Sequence, residues 1–270
     1  TEAFEREKNN FLSVYPNSTL RTTISNLSTN FYIESGDTEK AIEALDKSKA
    51  NTDDADVKEN NTIKIIGLKL EKKDYKDMEK YLGEISDPEE RAYYSAQYYA
   101  QKKDPKLVKE YETLLKSEKY KAYASKALGD YYFDKKDLAK SKKYYGTHVS
   151  VNKNPDEYVL YRLGQANEKE NNLKMALADY KLVYEKKGKL AEDAMLRAAE
   201  IYDRQENNVE AEKLFTKLYA TKGNKDLKAY SIEKLIYYKL LNEKTKEAKK
   251  YYDELKKLDA KRAEKFKAYF

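Results

Sequence analysis

Cysteine and tryptophan are absent from this 270-residue chain, histidine occurs once, and only 4 prolines and 8 glycines punctuate it. Without cysteine there is no disulfide, no thiolate nucleophile and no cysteine-ligated metal. One imidazole without a thiol cannot assemble the usual zinc ligand set, so no metal or organic cofactor is expected. No run nears the ~20 apolar residues of a membrane span, the richest stretches being Ile65-Ile66-Gly67-Leu68 and Leu235-Ile236-Tyr237-Tyr238. Helix breakers are scarce in a chain dominated by Lys, Glu, Ala and Leu, so helix is preferred along most of its length and strands are not expected.

What is present is charge and tyrosine. Hydrophobic residues make up 40% and charged residues 38%, too lean for one thick core but enough for a thin layer of helices, each burying one stripe. Disorder requires few aromatics and a high net charge, whereas aromatics reach 13% and 54 basic residues nearly balance 48 acidic ones. The formal charge of +6 is a small remainder of mixed signs, which speaks against nucleic acid as a partner. It is uneven: residues 1–60 carry 7 basic and 12 acidic residues, and residues 241–270 carry 10 and 6. The chain opens at Thr1 with neither Met nor a hydrophobic signal segment, which reads as a piece of something longer.

A repeat organises the sequence. Leu163-Gly164 lies on one helix, Asn171-Asn172 makes a turn, and Ala176, Tyr180 and Val183 fall one turn apart on the next helix. The phrase recurs as Leu128-Gly129, Asp137-Leu138, Ser141 and Tyr145, and as Ala198-Ala199, Asn207-Asn208, Ala211, Phe215 and Leu218. Further copies contain Thr29, Tyr32, Gly36-Asp37, Ala41 and Leu45; Ile66, Asp74, Met78, Leu82 and Ile85; Ala96, Tyr99, Asp104, Val108 and Leu115; and Leu235-Ile236, Ala248, Tyr252 and Leu255. The second-helix slot falls at 41, 78, 108, 141, 176, 211 and 248, in steps that average about 34.5 residues, against ~34 for tetratricopeptide repeats.

The array resembles the tetratricopeptide repeat family in three features: this period, the small residue of the first helix with a tyrosine a turn later (Tyr32, Tyr99, Tyr132, Tyr202), and the Ala-then-aromatic pair of the second helix. It departs from the family in lacking tryptophan and most repeat-end prolines. The resemblance implies an all-α, right-handed superhelical solenoid of tandem helix-turn-helix repeats. Residues 1–18 read as the second helix of an incomplete leading repeat, 19–258 as about seven repeats, and 259–270 as a capping helix or the start of a further repeat behind the N-cap Asp259. Tyr15-Pro16-Asn17-Ser18 is similar to repeat junctions of bacterial cell-envelope assembly proteins, which implies the periplasm or envelope, with the cytoplasm as the alternative compartment.

Few residues offer chemistry. His148 takes the place held by Val183, Leu218 and Leu255 in later repeats, a structural position. Carboxylate pairs such as Asp53-Asp54, Glu89-Glu90 and Asp253-Glu254 follow from composition, and no phosphate loop or nucleophile elbow occurs, so the chain reads as non-catalytic. Most of the 27 tyrosines read as packing, adjacent ones such as Tyr237-Tyr238 diverging by about 100° around a helix.

If Leu128, Gly129 and Tyr132 face the second helix, then Tyr123, Lys126, Asp130 and Phe133 form a different stripe of the first helix. Equivalent stripes carry Tyr93, Gln97 and Ala100 before it, and Tyr158, Tyr161, Gln165 and Glu168 after it. The family's geometry implies that these line the concave wall. The candidate binding residues are therefore Tyr93, Gln97, Tyr123, Lys126, Asp130, Tyr158, Tyr161 and Gln165, aromatic rings interleaved with polar groups suited to a protein or peptide partner. Ordinary solvated helix faces are the competing reading. The family's carboxylate clamp is not reproduced, since Lys126 and Arg162 are joined by Asp130 where an Asn is wanted. An RNA-binding helical repeat and the substrate-recruiting part of a larger enzyme are the alternative functions, the first opposed by Asp130, Asp193 and Glu200.

Overall fold

An α-helix leaves its last carbonyls without partners, and this chain meets that need the same way seven times. A computed structural model describes residues 2–16, 18–221 and 224–270; Thr1 and Asn17, which the sequence reading places in the leading helix and its closing turn, lie outside the described residues. Gly36, Lys73, Lys103, Lys136, Asn171, Glu206 and Glu243 adopt left-handed backbone with φ between 55° and 74°. In each case the next residue's N–H donates to the carbonyl five residues back, as from Asp37 to Tyr32, Asn172 to Asn167 and Lys244 to Lys239, at 2.8 to 2.9 Å. This is the Schellman closure, and it stops one helix and aims the next. Asp37, Asp137 and Asn207 then accept from backbone N–H groups three residues on, so one residue ends the first helix and caps the second.

The helices joined by these turns are paired. The chain resolves into two compact units, one ending at Tyr120 and one beginning at Lys121. In the first, α1 (Glu2–Val14) precedes the pairs α2 (Arg21–Glu34) with α3 (Thr38–Ala50), α4 (Ala55–Lys72) with α5 (Met78–Gly83), and α6 (Pro88–Gln101) with α7 (Leu107–Leu114). In the second, the pairs are α8 (Lys121–Asp134) with α9 (Leu138–Val151), α10 (Glu157–Lys169) with α11 (Leu173–Glu185), α12 (Ala191–Arg204) with α13 (Asn208–Tyr219), and α14 (Lys225–Leu241) with α15 (Thr245–Leu258). A short α16 (Ala260–Ala263) runs into a 3-10 turn, Glu264–Tyr269, and Asp259 caps α16 through the Arg262 N–H. No strand occurs among the described residues.

The slots of the second helices sink as their spacing predicts: Ala41, Met78, Ser141, Ala176, Ala211 and Ala248 are all buried. Val108 is the exception. In α7 the inward residues are Leu107, Tyr111 and Leu114, so the helix is rotated by one residue. Keeping Val108 inward would also turn Glu112 and Leu115 toward the core, and taking a carboxylate out of water costs far more than exchanging Val for Leu.

Close approach of paired helices depends on two glycines. A Cβ on Gly129 would lie 2.4 Å from the Tyr145 ring, and one on Gly164 would lie 2.7 Å from that of Tyr180. Both rings are fully buried, lying across the gap that the missing side chain leaves. Apolar clusters then run from pair to pair: one joins Leu160, Tyr180, Ala198, Phe215 and Tyr238, and another joins Ile232, Tyr252, Leu255 and Ala263. In the first unit, Leu45, Ile66, Leu82 and Tyr98 play the same part. Each repeat thus buries its apolar stripe against its neighbours, as in a solenoid.

Candidate peptide-binding wall

The candidate residues lie on first helices, six in the second unit and two in the first. In the second unit, side chains tie successive first helices directly to one another. Lys126 on α8 donates to Asp130 Oδ2 at 3.1 Å and stands 4.6 Å over the Tyr158 ring of α10. Asp130 Oδ1 accepts from the Tyr145 hydroxyl at 2.6 Å, so the buried ring beneath Gly129 ends in a hydrogen bond on the wall. Arg162 of α10 donates to the Tyr158 hydroxyl at 2.9 Å and to Gln165 Oε1 at 3.3 Å, and lies 4.6 Å over Phe133 of α8.

One repeat on, the arrangement recurs with other residues. Arg197 of α12 donates to the Tyr161 hydroxyl at 3.2 Å and to Glu168 Oε2 at 3.4 Å. Glu168 also accepts from Arg204 at 2.7 Å and from the buried Tyr180 hydroxyl at 2.8 Å. Lys234 of α14 then reaches Asp203 of α12 at 2.5 Å, and Asp203 further accepts from the Tyr238 hydroxyl. Burial, and then the bond to a carboxylate, pushes the Tyr145, Tyr180 and Tyr238 hydroxyls far above their ordinary 10.0, so each stays protonated as a donor. Arg162, Arg197 and Lys234 stand in equivalent places 35 and 37 residues apart, a spacing that could have revealed this ladder from the sequence.

The wall therefore neutralises most of its own charge. Tyr123, at 37% exposed, is the candidate most open to solvent. Tyr158, Tyr161 and Gln165 are half-buried, with Tyr161 also against the Tyr180 ring at 5.8 Å between centroids. The hydroxyl oxygens of Tyr158 and Tyr161 are held by arginines, which leaves their protons to donate outward. In the first unit, Tyr93 is half-buried, stacked on Tyr120 at 4.7 Å and edge-on to Tyr94 at 5.1 Å. Gln97 is half-buried too, its Nε2 enclosed with no acceptor in reach. Near them Glu90 accepts from Lys119 at 2.5 Å and from the Tyr120 hydroxyl at 2.6 Å. Tyr93 is thus braced by packing within its own unit.

The remaining residues singled out in the sequence are structural. His148 is 7% exposed, and its Nδ1 donates to the Ala122 carbonyl at 2.8 Å. Tyr132, on the packing side of α8, is half-buried and stacked on Tyr144 at 5.5 Å.

The fold has solved counterparts. The C-terminal part of a TPR repeat-containing protein from Cytophaga hutchinsonii superposes with a TM-score of 0.66 at 20% identity, covering 87% of this chain and 96% of that one. PilF of Pseudomonas aeruginosa aligns at a TM-score of 0.47 and 16% identity, over 79% of this chain and 98% of that one, a likeness too loose to argue from. No family model matches the chain, and no curated protein matches it by sequence. The class that the fold defines is the tetratricopeptide-type helical repeat: seven helix pairs among the described residues, closed by one kind of turn, with the architecture of the Cytophaga protein.

Proposed function

We propose that this chain is a non-catalytic scaffold that binds a protein or peptide along the first-helix wall of its second unit. The observation that carries the reading is the ladder on that wall. Its carboxylates are committed to cations and Arg162 to the Tyr158 hydroxyl and Gln165, so what faces outward is mostly aromatic surface, tyrosine hydroxyl and amide: Tyr123, Tyr158, Tyr161 and Gln165. Such groups suit a segment recognised by side-chain contact and backbone hydrogen bonds rather than by charge. RNA is disfavoured, since Asp193 and Glu200 stand on α12 and the wall's arginines are already engaged.

Within this reading α1 is the second helix of a leading repeat, its Phe4 stacked on Phe31 at 4.3 Å and Lys8 Nζ 2.8 Å from the Tyr32 hydroxyl. Residues 259–270 serve as a cap, with Phe270 against Tyr252 at 4.9 Å. A place in a bacterial envelope assembly is supported by the junction sequence at Tyr15-Pro16 alone.

Panning a phage-displayed peptide library against the purified protein tests the proposal. Peptides sharing a pattern should be enriched. Tyr123→Ala should weaken them by about 2 kcal/mol with an unchanged melt, as for an aromatic interface anchor. Tyr161→Phe should cost binding less, because only the hydroxyl is lost. No enrichment, or equal binding by Tyr123→Ala, refutes the assignment.

A further inference from the structure

The charge asymmetry of the sequence takes a definite shape at the end of the second unit. Between Lys244 and Lys267 each carboxylate is already held by a cation or capped helix end: Glu247 by Lys239 at 2.8 Å, Asp253 by Lys249 at 3.0 Å, Glu254 by Lys228 at 3.0 Å, Asp259 by Arg262 at 3.2 Å and Glu264 by Lys267 at 2.9 Å. Six lysines in the same stretch have no such partner: Lys244, Lys246, Lys250, Lys256, Lys257 and Lys261 are all exposed. Cations outnumber carboxylates here, so positive charge is left over at the surface even though Lys244, Lys250 and Lys257 act on Glu247 and Glu254.

Three of the six share one face. Lys246, Lys250 and Lys257 project from α15 within about 40° of one another, spread over about 16 Å of helix. They point away from the buried Ala248, Tyr252 and Leu255. The face has no exposed large apolar residue at its centre, so it lacks the desolvated anchor that a protein interface is built around. It also lacks arginine forks and exposed aromatic rings, the groups that grip phosphates in pairs and stack bases. A row of hydrated lysines, interrupted only by Asp253 in its pair with Lys249, suits a partner whose negative charges are mobile enough to gather under it.

We propose that the outward face of α15 docks on an anionic lipid surface, holding the second unit at a membrane by charge alone, without insertion. The contact is independent of the first-helix wall and leaves that wall's residues untouched.

Sedimentation with vesicles tests it, using phosphatidylcholine mixed with phosphatidylglycerol against phosphatidylcholine alone. The parent should sediment with the mixed vesicles only, and less as salt rises. Changing Lys246, Lys250 and Lys257 together to glutamine should lower the partition about 100-fold, roughly fivefold for each lysine removed. A control with the same loss of charge, Lys58→Gln, Lys64→Gln and Lys109→Gln in the first unit, should sediment as the parent does. Both variants should melt with the parent, since none of these ammonium groups holds a partner. The proposal fails if the parent ignores anionic vesicles, if the α15 variant sediments undiminished, or if the control falls equally. It also fails if polyglutamate or duplex DNA retains the parent more strongly than the vesicles do at matched salt, which would mark the face as a site for acidic protein or nucleic acid.

Discussion

Asp179 sits on α11 with 7% exposure, and its one polar partner is Asn167 of α10, which donates to Oδ2 at 2.7 Å and is itself 5% exposed. Burial raises the carboxyl from its ordinary 3.8 to about 6, and the amide hydrogen bond only partly opposes this. A folded-state value above the unfolded one means that the native protein binds the proton more tightly. The stabilisation is therefore complete below 3.8 and is lost as pH rises through 6. At about 1.4 kcal/mol per pH unit, ionised Asp179 costs the fold about 3 kcal/mol near neutrality. Asp179→Asn removes the ionisation and keeps an acceptor for Asn167, but buries an amide NH2 whose lost hydration costs about 1–2 kcal/mol. The variant should then be about 1–2 kcal/mol more stable than the parent at pH 7.5, with no advantage at pH 4. Urea titrations at the two values measure the difference, and hydrogen exchange of α10 and α11 amides locates it, since repeat arrays can open in parts. A variant weaker than its parent at pH 7.5, or a gain of equal size at pH 4, would refute the reasoning.

Two further outcomes follow from the packing. Gly164→Ala places a methyl 2.7 Å from the Tyr180 ring and should destabilise the second unit by about 1–3 kcal/mol in a thermal melt, with Gly129→Ala behaving alike against Tyr145. Lys136→Gly should stabilise by up to about 1 kcal/mol, because Lys136 is held at φ 62°, and a destabilised variant would mean that its side chain matters more than its backbone.

Much of the fold was legible in the sequence because the turn chemistry is repeated. An Asp or Asn follows the left-handed residue at Asp37, Asp74, Asp104, Asp137, Asn172 and Asn207, and only Lys244 breaks the pattern. Except at Gly36, the left-handed residues themselves are hidden, since Lys, Glu and Asn occupy positions where glycine would announce the conformation. At Val108 the spacing of the neighbouring repeats does not carry over, because α7 takes the register that turns Tyr111 inward. On the wall, the sequence pointed to Tyr123, Lys126, Asp130, Tyr158, Tyr161 and Gln165 by their stripe. Arg197 and Lys234 repeat the place of Arg162 at 35 and 37 residues, a sign of the ladder that the stripes of single helices do not use, whereas Arg204 has no such sign. Whether a charged residue on a helix surface is solvated or engaged is decided by the neighbouring helix, which periodicity along one helix does not describe. The division of the chain after Tyr120 likewise has no signature in composition.

The uniform turn makes the chain a string of interchangeable cassettes. Because Asn171 and Glu206 hold the same backbone conformation and are followed by Asn172 and Asn207, excising residues 172–206 joins one turn to its own equivalent. No helix is truncated by the splice, and α10 is simply handed the second helix that belonged to α12. Lengthening or shortening by whole repeats thus preserves the turn at the joint, while a deletion that ends within a helix breaks it. A protein built this way is free to change its reach in steps of one repeat without redesigning a single turn.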